Sequence, residues 1–239
     1  VNGTTSAVQT MIMSTVGEGD TVLVPRNAHR SVNNALILSG AKPVFLCPEF
    51  DYDFDIALNI TPSTVEHAVE QFPNARALII TSPNYYGVPA DLQSIAEIVH
   101  RHGMLLLVDE AHGAHLQFSD RLPISAMDAG ADIAAQSTHK LLGSLTQTSM
   151  LMINSARIDL ERVRRVSSML QSTSPNYLLL ASLDIARFQM QSNGSTLIEQ
   201  TIDRAQRLRE AIRSISGLRL FETPSLDPTK ITVNARGLG

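Results

Sequence analysis

Cysteine and tryptophan are almost missing from this 239-residue sequence, which has Cys47 alone and no tryptophan. A single cysteine cannot form an internal disulfide bond, so the sequence predicts a protein of the reducing cytoplasm. Long apolar runs are missing too, since no segment approaches the roughly 18 residues of a transmembrane helix and no signal peptide pattern opens the chain. The sequence therefore does not predict a membrane partner.

Runs of one charge are also absent. Lysine and arginine number 19 and aspartate and glutamate 23, and the net charge of −4 is spread along the chain. Proteins that bind nucleic acid or anionic membranes usually concentrate basic residues on one surface. The sequence consequently predicts neither kind of partner, and it favours a small-molecule ligand.

Short apolar segments alternate with amphipathic ones over most of the chain. This rhythm of strand and helix predicts an α/β fold with a mostly parallel, doubly wound sheet. The predicted strands are 21–24, 42–46, 77–81, 104–108, 133–136 and 149–153. The predicted helices between them include 7–13, a segment ending at 39, 61–71 and 91–102.

The last third of the sequence changes character. Two helices are predicted at 177–190 and 196–215, and strands at 218–221 and 230–233 predict the start of a smaller α+β domain. We therefore expect a large domain over 1–193 and a connecting helix with part of a small domain over 194–239. The sequence begins at what is predicted to be a ligand-binding turn, and it ends soon after the last predicted strand with no closing element. Both ends are therefore expected to be cuts through a longer protein.

The sequence is most informative between Met104 and Gln147. The apolar run 104–108 leads directly to Asp109, and the segment 133–136 leads to Lys140. Because parallel strands of an open sheet gather ligands at their carboxyl ends, an acid and an amine are expected to converge there. A lysine that condenses with an aldehyde and a carboxylate that keeps a pyridine nitrogen protonated are what pyridoxal phosphate requires. The apolar residues 141–145 further predict a partly desolvated Lys140.

Two other interpretations fit the same residues. Asp109 to His112 spells the DEAH motif of helicases, but no phosphate loop of the form GxxxxGK[ST] precedes it, so a nucleotide-driven motor is excluded. His112 and His115 resemble a metal pair, but a third ligand at a typical spacing is missing, so no metal site is predicted.

Several motifs in one order carry a resemblance to a known family. From Asn2 to about Asp184 the chain resembles the Orn/Lys/Arg decarboxylase family, the bacterial basic amino acid decarboxylases of the aspartate aminotransferase fold. The resemblance implies pyridoxal 5′-phosphate as cofactor and a homodimer or higher homo-oligomer. The matching motifs are Asn-Gly-Thr-Thr at 2–5, Arg-Asn-x-His at 26–29, Asp-x-Ala-His-Gly-Ala-His at 109–115, Ser-Thr-His-Lys at 137–140 and Thr-Ser-Pro at 173–175.

The resemblance also implies roles for individual residues. His29 would stack on one face of the cofactor ring with Ala111 on the other, and Lys140 or His139 would return a proton to Cα. Thr173 would reach the cofactor phosphate of the partner subunit. The implied catalytic residues are Lys140, His29, Asp109 and His139. The implied cofactor-binding residues are Thr4, Thr5, His29, Asp109, Ala111, His112, Ser137, His139, Lys140 and Thr173.

The sequence thus predicts decarboxylation of arginine, lysine or ornithine to the corresponding amine of polyamine metabolism. Another enzyme of the same fold, such as an aminotransferase or a lyase, would use the same aspartate and lysine and stays an alternative. A non-catalytic regulatory relative is a third interpretation. The sequence does not decide which basic amino acid is the substrate.

Overall fold

A computed structural model describes residues 2–238. The helices are α1 (Gly3–Thr15), α2 (Arg30–Ser39), α3 (Pro62–Gln71), α4 (Leu92–Arg101), α5 (Thr138–Leu141), α6 (Leu160–Leu170) and α7 (Tyr177–Arg213). The strands are β1 (Thr21–Pro25), β2 (Lys42–Leu46), β3 (Phe50–Asp51), β4 (Ile56–Ala57), β5 (Ala77–Thr81), β6 (Leu105–Glu110), β7 (Ile133–Gln136), β8 (Met150–Ile153), β9 (Arg219–Leu220) and β10 (Val233–Asn234).

Six strands form one sheet in the order β2-β1-β5-β6-β7-β8. The first five are parallel to one another, and β8 pairs with β7 in the antiparallel direction. The prediction of a mostly parallel α/β sheet is therefore confirmed. The apolar run at 104–108 forms the central strand β6, which is buried along its whole length, as expected for a strand covered on both faces.

Helices cover both faces of this sheet. Successive side chains of β6 point to opposite faces, so Leu105 and Leu107 pack with residues of α1, α2 and α6. Leu106 and Val108 pack with residues of α3 and α4 on the other face. Odd-numbered residues of β6 thus face the α1 layer, and Asp109 belongs to this set.

Three predicted helix ends are also confirmed. Gly40 ends α2 at φ +70°, a left-handed conformation that glycine adopts without strain. Thr61 caps α3 by accepting a hydrogen bond from the Thr64 backbone, with Pro62 in the first turn. Asp91 caps α4 in the same way.

The prediction of two helices at 177–190 and 196–215 is wrong. Helix α7 runs without a break from Tyr177 to Arg213. Gly194, which lies between the two predicted ranges, allows close packing inside α7, because a Cβ there would lie 2.7 Å from Cδ1 of Phe118. Burial of Met190, Ile198 and Ile202 against the 116–122 segment outweighs the weak helix propensity of glycine. The expected domain boundary at 193/194 falls inside α7, and the division into domains stays a prediction.

The 47–60 segment contains the short antiparallel pair β3 and β4. One other expectation needs adjustment. The strands expected at 218–221 and 230–233 are shorter, with Val233 pairing with Leu220 in an antiparallel ribbon. Within residues 2–238, no helix combines the length and apolarity needed to cross a bilayer.

Candidate active site

A cavity of about 400 Å³ lies at the carboxyl ends of the parallel strands. Strand β6 delivers Asp109 to it, and β7, which pairs Ala135 with Asp109, delivers the segment carrying Lys140. The acid and the amine therefore share one cavity. Its lining residues are Gly3, Thr4, Thr5, His29, Ser31, Thr81, Asp109, Ala111, His112, Ser137, His139, Lys140, Thr146 and Gln147.

Asp109 lies at the floor of this cavity and is 2% exposed. Its Oδ1 accepts a hydrogen bond of 3.2 Å from the Ala111 backbone. Burial raises the pKa of the Asp109 carboxyl, while the Ala111 hydrogen bond and the nearby His29 and Lys140 side chains oppose that rise. A desolvated carboxyl of this kind is stabilised by a cationic partner in the cavity.

Lys140 lies in the short helix α5, directly after β7. Its side chain is exposed, so the expectation of a desolvated amine is wrong. The neighbouring apolar residues do not cover it, since Leu142 packs with the 116–122 segment and Leu145 is itself exposed. The amine Nζ lies 3.4 Å from Nε2 of His112.

His112 lines the cavity between Lys140 and the exposed Tyr85. Burial lowers the pKa of His112 to about 4, and the nearby Lys140, Lys230 and His29 side chains add to the effect. The ring is therefore neutral at pH 7, and Nε2 can accept a hydrogen bond from the Lys140 amine. The Tyr85 ring meets the His112 ring edge to face at 5.6 Å.

His29 has two structural roles. It is the N-cap residue of α2, where Nδ1 accepts a hydrogen bond of 3.2 Å from the Ser31 backbone. The same side chain lines the cavity. The cap fixes the ring orientation, because Nδ1 is also 2.7 Å from Oγ of Ser31.

The N-terminus of α1 forms another wall of the cavity. Helix α1 begins at Gly3, four residues earlier than expected, so Thr4 and Thr5 lie in its first turn. Asn2 makes no side-chain capping hydrogen bond, which leaves the first backbone N–H groups available to an anion. Thr4 donates a hydrogen bond of 3.1 Å to Oγ of Ser149.

Ser137 and His139 precede Lys140 in the sequence and line the same cavity. Ser137 is fully buried, and its Oγ lies 3.3 Å from Nδ1 of His139. That nitrogen also lies 2.8 Å from the Thr148 carbonyl oxygen, which can only accept. Nδ1 of His139 therefore carries a proton, and in the neutral ring Nε2 holds the lone pair.

Sequence reasoning missed five lining residues: Gly3, Ser31, Thr81, Thr146 and Gln147. Thr81 is the most informative, because its buried Oγ1 makes no hydrogen bond to the described residues and lies in the cavity wall. Its register opposite Asp109 in the β5–β6 pair would have indicated this position. Gln147 adopts φ +78°, which no sequence pattern indicated.

One predicted site residue, Thr173, lies outside the cavity. It is exposed on the loop between α6 and α7, beside a second cavity of about 300 Å³ that shares Gln147 with the first. A contact of Thr173 with a partner subunit stays a prediction. His115 of the 109–115 motif also lies outside the cavity, since it is buried and its Nε2 lies 3.0 Å from the Asp227 carboxylate. Among residues 2–238, no three acidic, histidine or cysteine side chains cluster as metal ligands do.

Residues 1–238 match the sequence profile of the family described as Orn/Lys/Arg decarboxylase, major domain. The chain belongs to the Orn/Lys/Arg decarboxylase family. The resemblance inferred from the five motifs is therefore confirmed.

Relatives in this family and proteins of similar structure align with nearly the whole of this chain. The arginine decarboxylase of Bacillus cereus is 47% identical over 247 residues, which cover 100% of this chain and 54% of that protein. The solved structure of lysine decarboxylase A from Pseudomonas aeruginosa has a TM-score of 0.86 and 25% identity, covering 99% of this chain and 41% of that one.

The fold is shared more widely than the family. The structure of N-succinyldiaminopimelate aminotransferase from Mycobacterium tuberculosis has a TM-score of 0.69 at 21% identity, covering 100% of this chain and 61% of that one. The chain spans about half the length of the curated relatives it matches.

Proposed function

We propose that the protein of which this chain is a part is a pyridoxal phosphate-dependent decarboxylase of a basic amino acid. The observation that supports it most is that Asp109 and Lys140 line one cavity whose wall includes the N-terminus of α1. An acid, an amine and an anion site are the three groups that the cofactor needs at its ring nitrogen, aldehyde and phosphate.

The cavity residues fit such a cofactor in size and in polarity. A volume of about 400 Å³ lies within the usual range of small-molecule sites. The α1 N-terminus, with Thr4, Thr5 and Ser137, offers backbone and hydroxyl donors for a phosphate. Thr81 offers a buried hydroxyl that lacks a hydrogen-bond partner among the described residues.

Four of the lining residues would have defined roles toward the cofactor. When bound, the cofactor supplies a ring that accepts the electron pair left at Cα after the carboxylate departs as carbon dioxide. The Lys140 amine would hold the cofactor at its aldehyde group. Asp109, desolvated by burial, would keep a proton at the ring nitrogen. His29 and Ala111 would hold the ring between them.

The return of a proton to Cα falls to Lys140 or His139. The neutral ring of His112 accepts a hydrogen bond from the Lys140 amine at 3.4 Å and so orients it. His139 donates a hydrogen bond from Nδ1 to the Thr148 carbonyl. Nε2 is therefore the nitrogen that can exchange a proton.

Arginine is the proposed substrate, with agmatine and carbon dioxide as products. Four relatives that are 43–47% identical bear the name arginine decarboxylase, whereas the relative named lysine decarboxylase LdcA is 30% identical. Lysine and ornithine are the competing substrates of the same class.

The test uses the full-length protein loaded with pyridoxal phosphate. Arginine, lysine and ornithine are supplied separately, and carbon dioxide and the amine products are quantified, with Lys140→Ala as the inactive control. Release of carbon dioxide and agmatine from arginine alone is the expected result. Transfer of the amino group to a keto acid without carbon dioxide would identify an aminotransferase instead. Absence of cofactor binding would favour a non-catalytic relative.

A further inference from the structure

A turn near the end of the chain docks against the loops around the cavity. We call residues 227–230 the 227–230 turn. The Asp227 backbone donates a hydrogen bond of 2.9 Å to the carbonyl of Gly87, in the loop that also carries Tyr85. Arg209 of α7 donates to the Pro228 carbonyl at 2.7 Å and to the Lys230 carbonyl. The turn is therefore held from α7 and from a cavity loop at once.

The side chain of Asp227 joins this turn to a second cavity loop. It is fully buried, and its Oδ2 lies 3.0 Å from Nε2 of His115 and 3.0 Å from Nζ of Lys230. Its Oδ1 accepts hydrogen bonds from the backbone and the hydroxyl of Thr229, at 2.9 and 2.7 Å. Burial alone would raise the pKa of Asp227, but these partners hold it well below its usual range.

His115 ends a short loop whose first residues line the cavity. We call residues 111–115 the 111–115 loop. Its members Ala111 and His112 face the cavity, while His115 faces Asp227. Gly113 between them has no spare room, since a Cβ there would lie 2.6 Å from Cγ of Glu110 and 2.9 Å from Cδ of Pro83. A loop packed this tightly transmits a displacement at one end to the other.

We propose that His115 and Asp227 form a positioning pair that fixes the 111–115 loop, and with it the Ala111 methyl group and the His112 ring, over the cavity. The proposal rests on the proposed function, because the Ala111 methyl group and the His112 ring would lie against the cofactor. Neither residue of the pair touches the cavity. The 227–230 turn consequently belongs to the working site although it lies almost 90 residues beyond Lys140.

The same chain contains a matched control. Asp132 is also a fully buried carboxylate, with Nε2 of His100 at 3.1 Å and NH2 of Arg157 at 2.9 Å. It precedes β7, at the end of the sheet opposite the cavity. Both aspartates are thus buried and paired with one histidine and one basic residue, so a loss of stability alone does not separate them.

The experiment compares Asp227→Asn and His115→Gln with Asp132→Asn in the full-length protein. Three quantities are measured: the melting temperature, the pyridoxal phosphate dissociation constant by equilibrium dialysis, and the ¹³Cε1 resonance of His112 in the cofactor-free protein, assigned with His112→Asn. We expect all three variants to lower the melting temperature. We expect only Asp227→Asn and His115→Gln to weaken cofactor binding, by about tenfold or more, and to shift or broaden the His112 resonance.

If Asp227→Asn does not fold, His115→Gln still tests the proposal, because in that variant Asp227 keeps its contacts with Lys230 and Thr229. Cofactor affinity and a His112 resonance that both match wild type in the His115 and Asp227 variants would overturn the proposal. If the wild-type protein itself binds no pyridoxal phosphate, the proposed function fails. The His112 resonance of the cofactor-free variants still decides the positioning role in that case.

Discussion

Asp109 and Glu110 are adjacent buried carboxyl groups on β6, but their side chains face opposite sides of the sheet. Asp109 faces the α1 layer and the cavity, whereas Glu110 faces the other side of the sheet, next to Ala126. Burial raises the pKa of both, that of Glu110 to about 7. Burial alone therefore does not distinguish a reactive carboxyl group from a structural one.

The difference lies in their partners. Both oxygens of Glu110 accept hydrogen bonds from neutral donors, 2.7 Å from Nε2 of Gln136 and 2.6 Å from the Ala126 backbone. Asp109 has one hydrogen bond from the backbone, and the side chains that favour its ionised form, His29 and Lys140, lie across the cavity. The carboxyl group with incomplete hydrogen bonding is the one that faces the cavity.

The largest effect is expected for Lys140→Met, which removes a cation facing Asp109 and leaves Glu110 untouched. Decarboxylation by the full-length enzyme should fall by about 10⁴-fold or more, as on loss of a covalent nucleophile. The measurement is the initial rate of carbon dioxide release. Lys42→Met, at the exposed start of the edge strand β2, is the control and should retain wild-type activity. Equal losses in both variants would contradict the role given to Lys140.

The next largest effect separates the two carboxyl groups directly. Asp109→Asn should lower kcat by about 10²–10³-fold, because an amide cannot hold a proton at the ring nitrogen. Glu110→Gln should leave kcat within about threefold of wild type, since the Gln136 amide can rotate to accept from the new donor. Steady-state kinetics on the two variants provide the test. Equal losses would mean that the site depends on the folding of β6 and not on the charge of Asp109.

The sequence predicted Asp109 and Lys140 because both follow short apolar strands of a parallel sheet, whose ends must share one edge. It distinguished Asp109 from Glu110 only through a family motif. The donors to Glu110 come from Gln136 and Ala126, and no local pattern reports which side chains meet across 16 or 26 residues.

The errors in the sequence interpretation have the same physical origin. Two helices were predicted where α7 is continuous because helix propensity is a local property, whereas the Gly194 contact with Phe118 is made across 76 residues. Lys140 was expected to be partly desolvated because its neighbours along the chain are apolar, but Leu142 packs with the 116–122 segment and Leu145 is exposed. The Asp227 contact with His115 joins segments more than 100 residues apart and had no signal in the sequence.

A smaller effect is expected on the pH dependence of stability. The folded protein keeps a proton on Glu110 up to a pKa of about 7, whereas the unfolded chain releases it near the ordinary value of 4.5. The free energy of unfolding therefore falls as pH rises between these values, by about 3 kcal/mol for this one group. Glu110→Gln should remove that part of the slope.

Urea unfolding of the wild type and of Glu110→Gln at pH 5 and pH 8 measures this difference. Asp109 adds to the pH dependence of the free energy of unfolding in the same direction, because its pKa is also raised. The wild-type slope is therefore compared with the slope of Glu110→Gln and not with zero. Identical slopes in the two proteins would show that Glu110 titrates normally in the folded state.

The smallest effect is expected for Gln136→Met, which removes one of the two donors to Glu110. At pH 8 the carboxylate loses a charge-assisted hydrogen bond, and the free energy of unfolding should fall by about 2 kcal/mol. At pH 5 the protonated Glu110 loses only a neutral hydrogen bond, so the loss should be about half as large. In the Glu110→Gln background the pH dependence of the loss should vanish. A loss that is the same at both pH values in the wild-type background would show that Gln136 acts by packing alone.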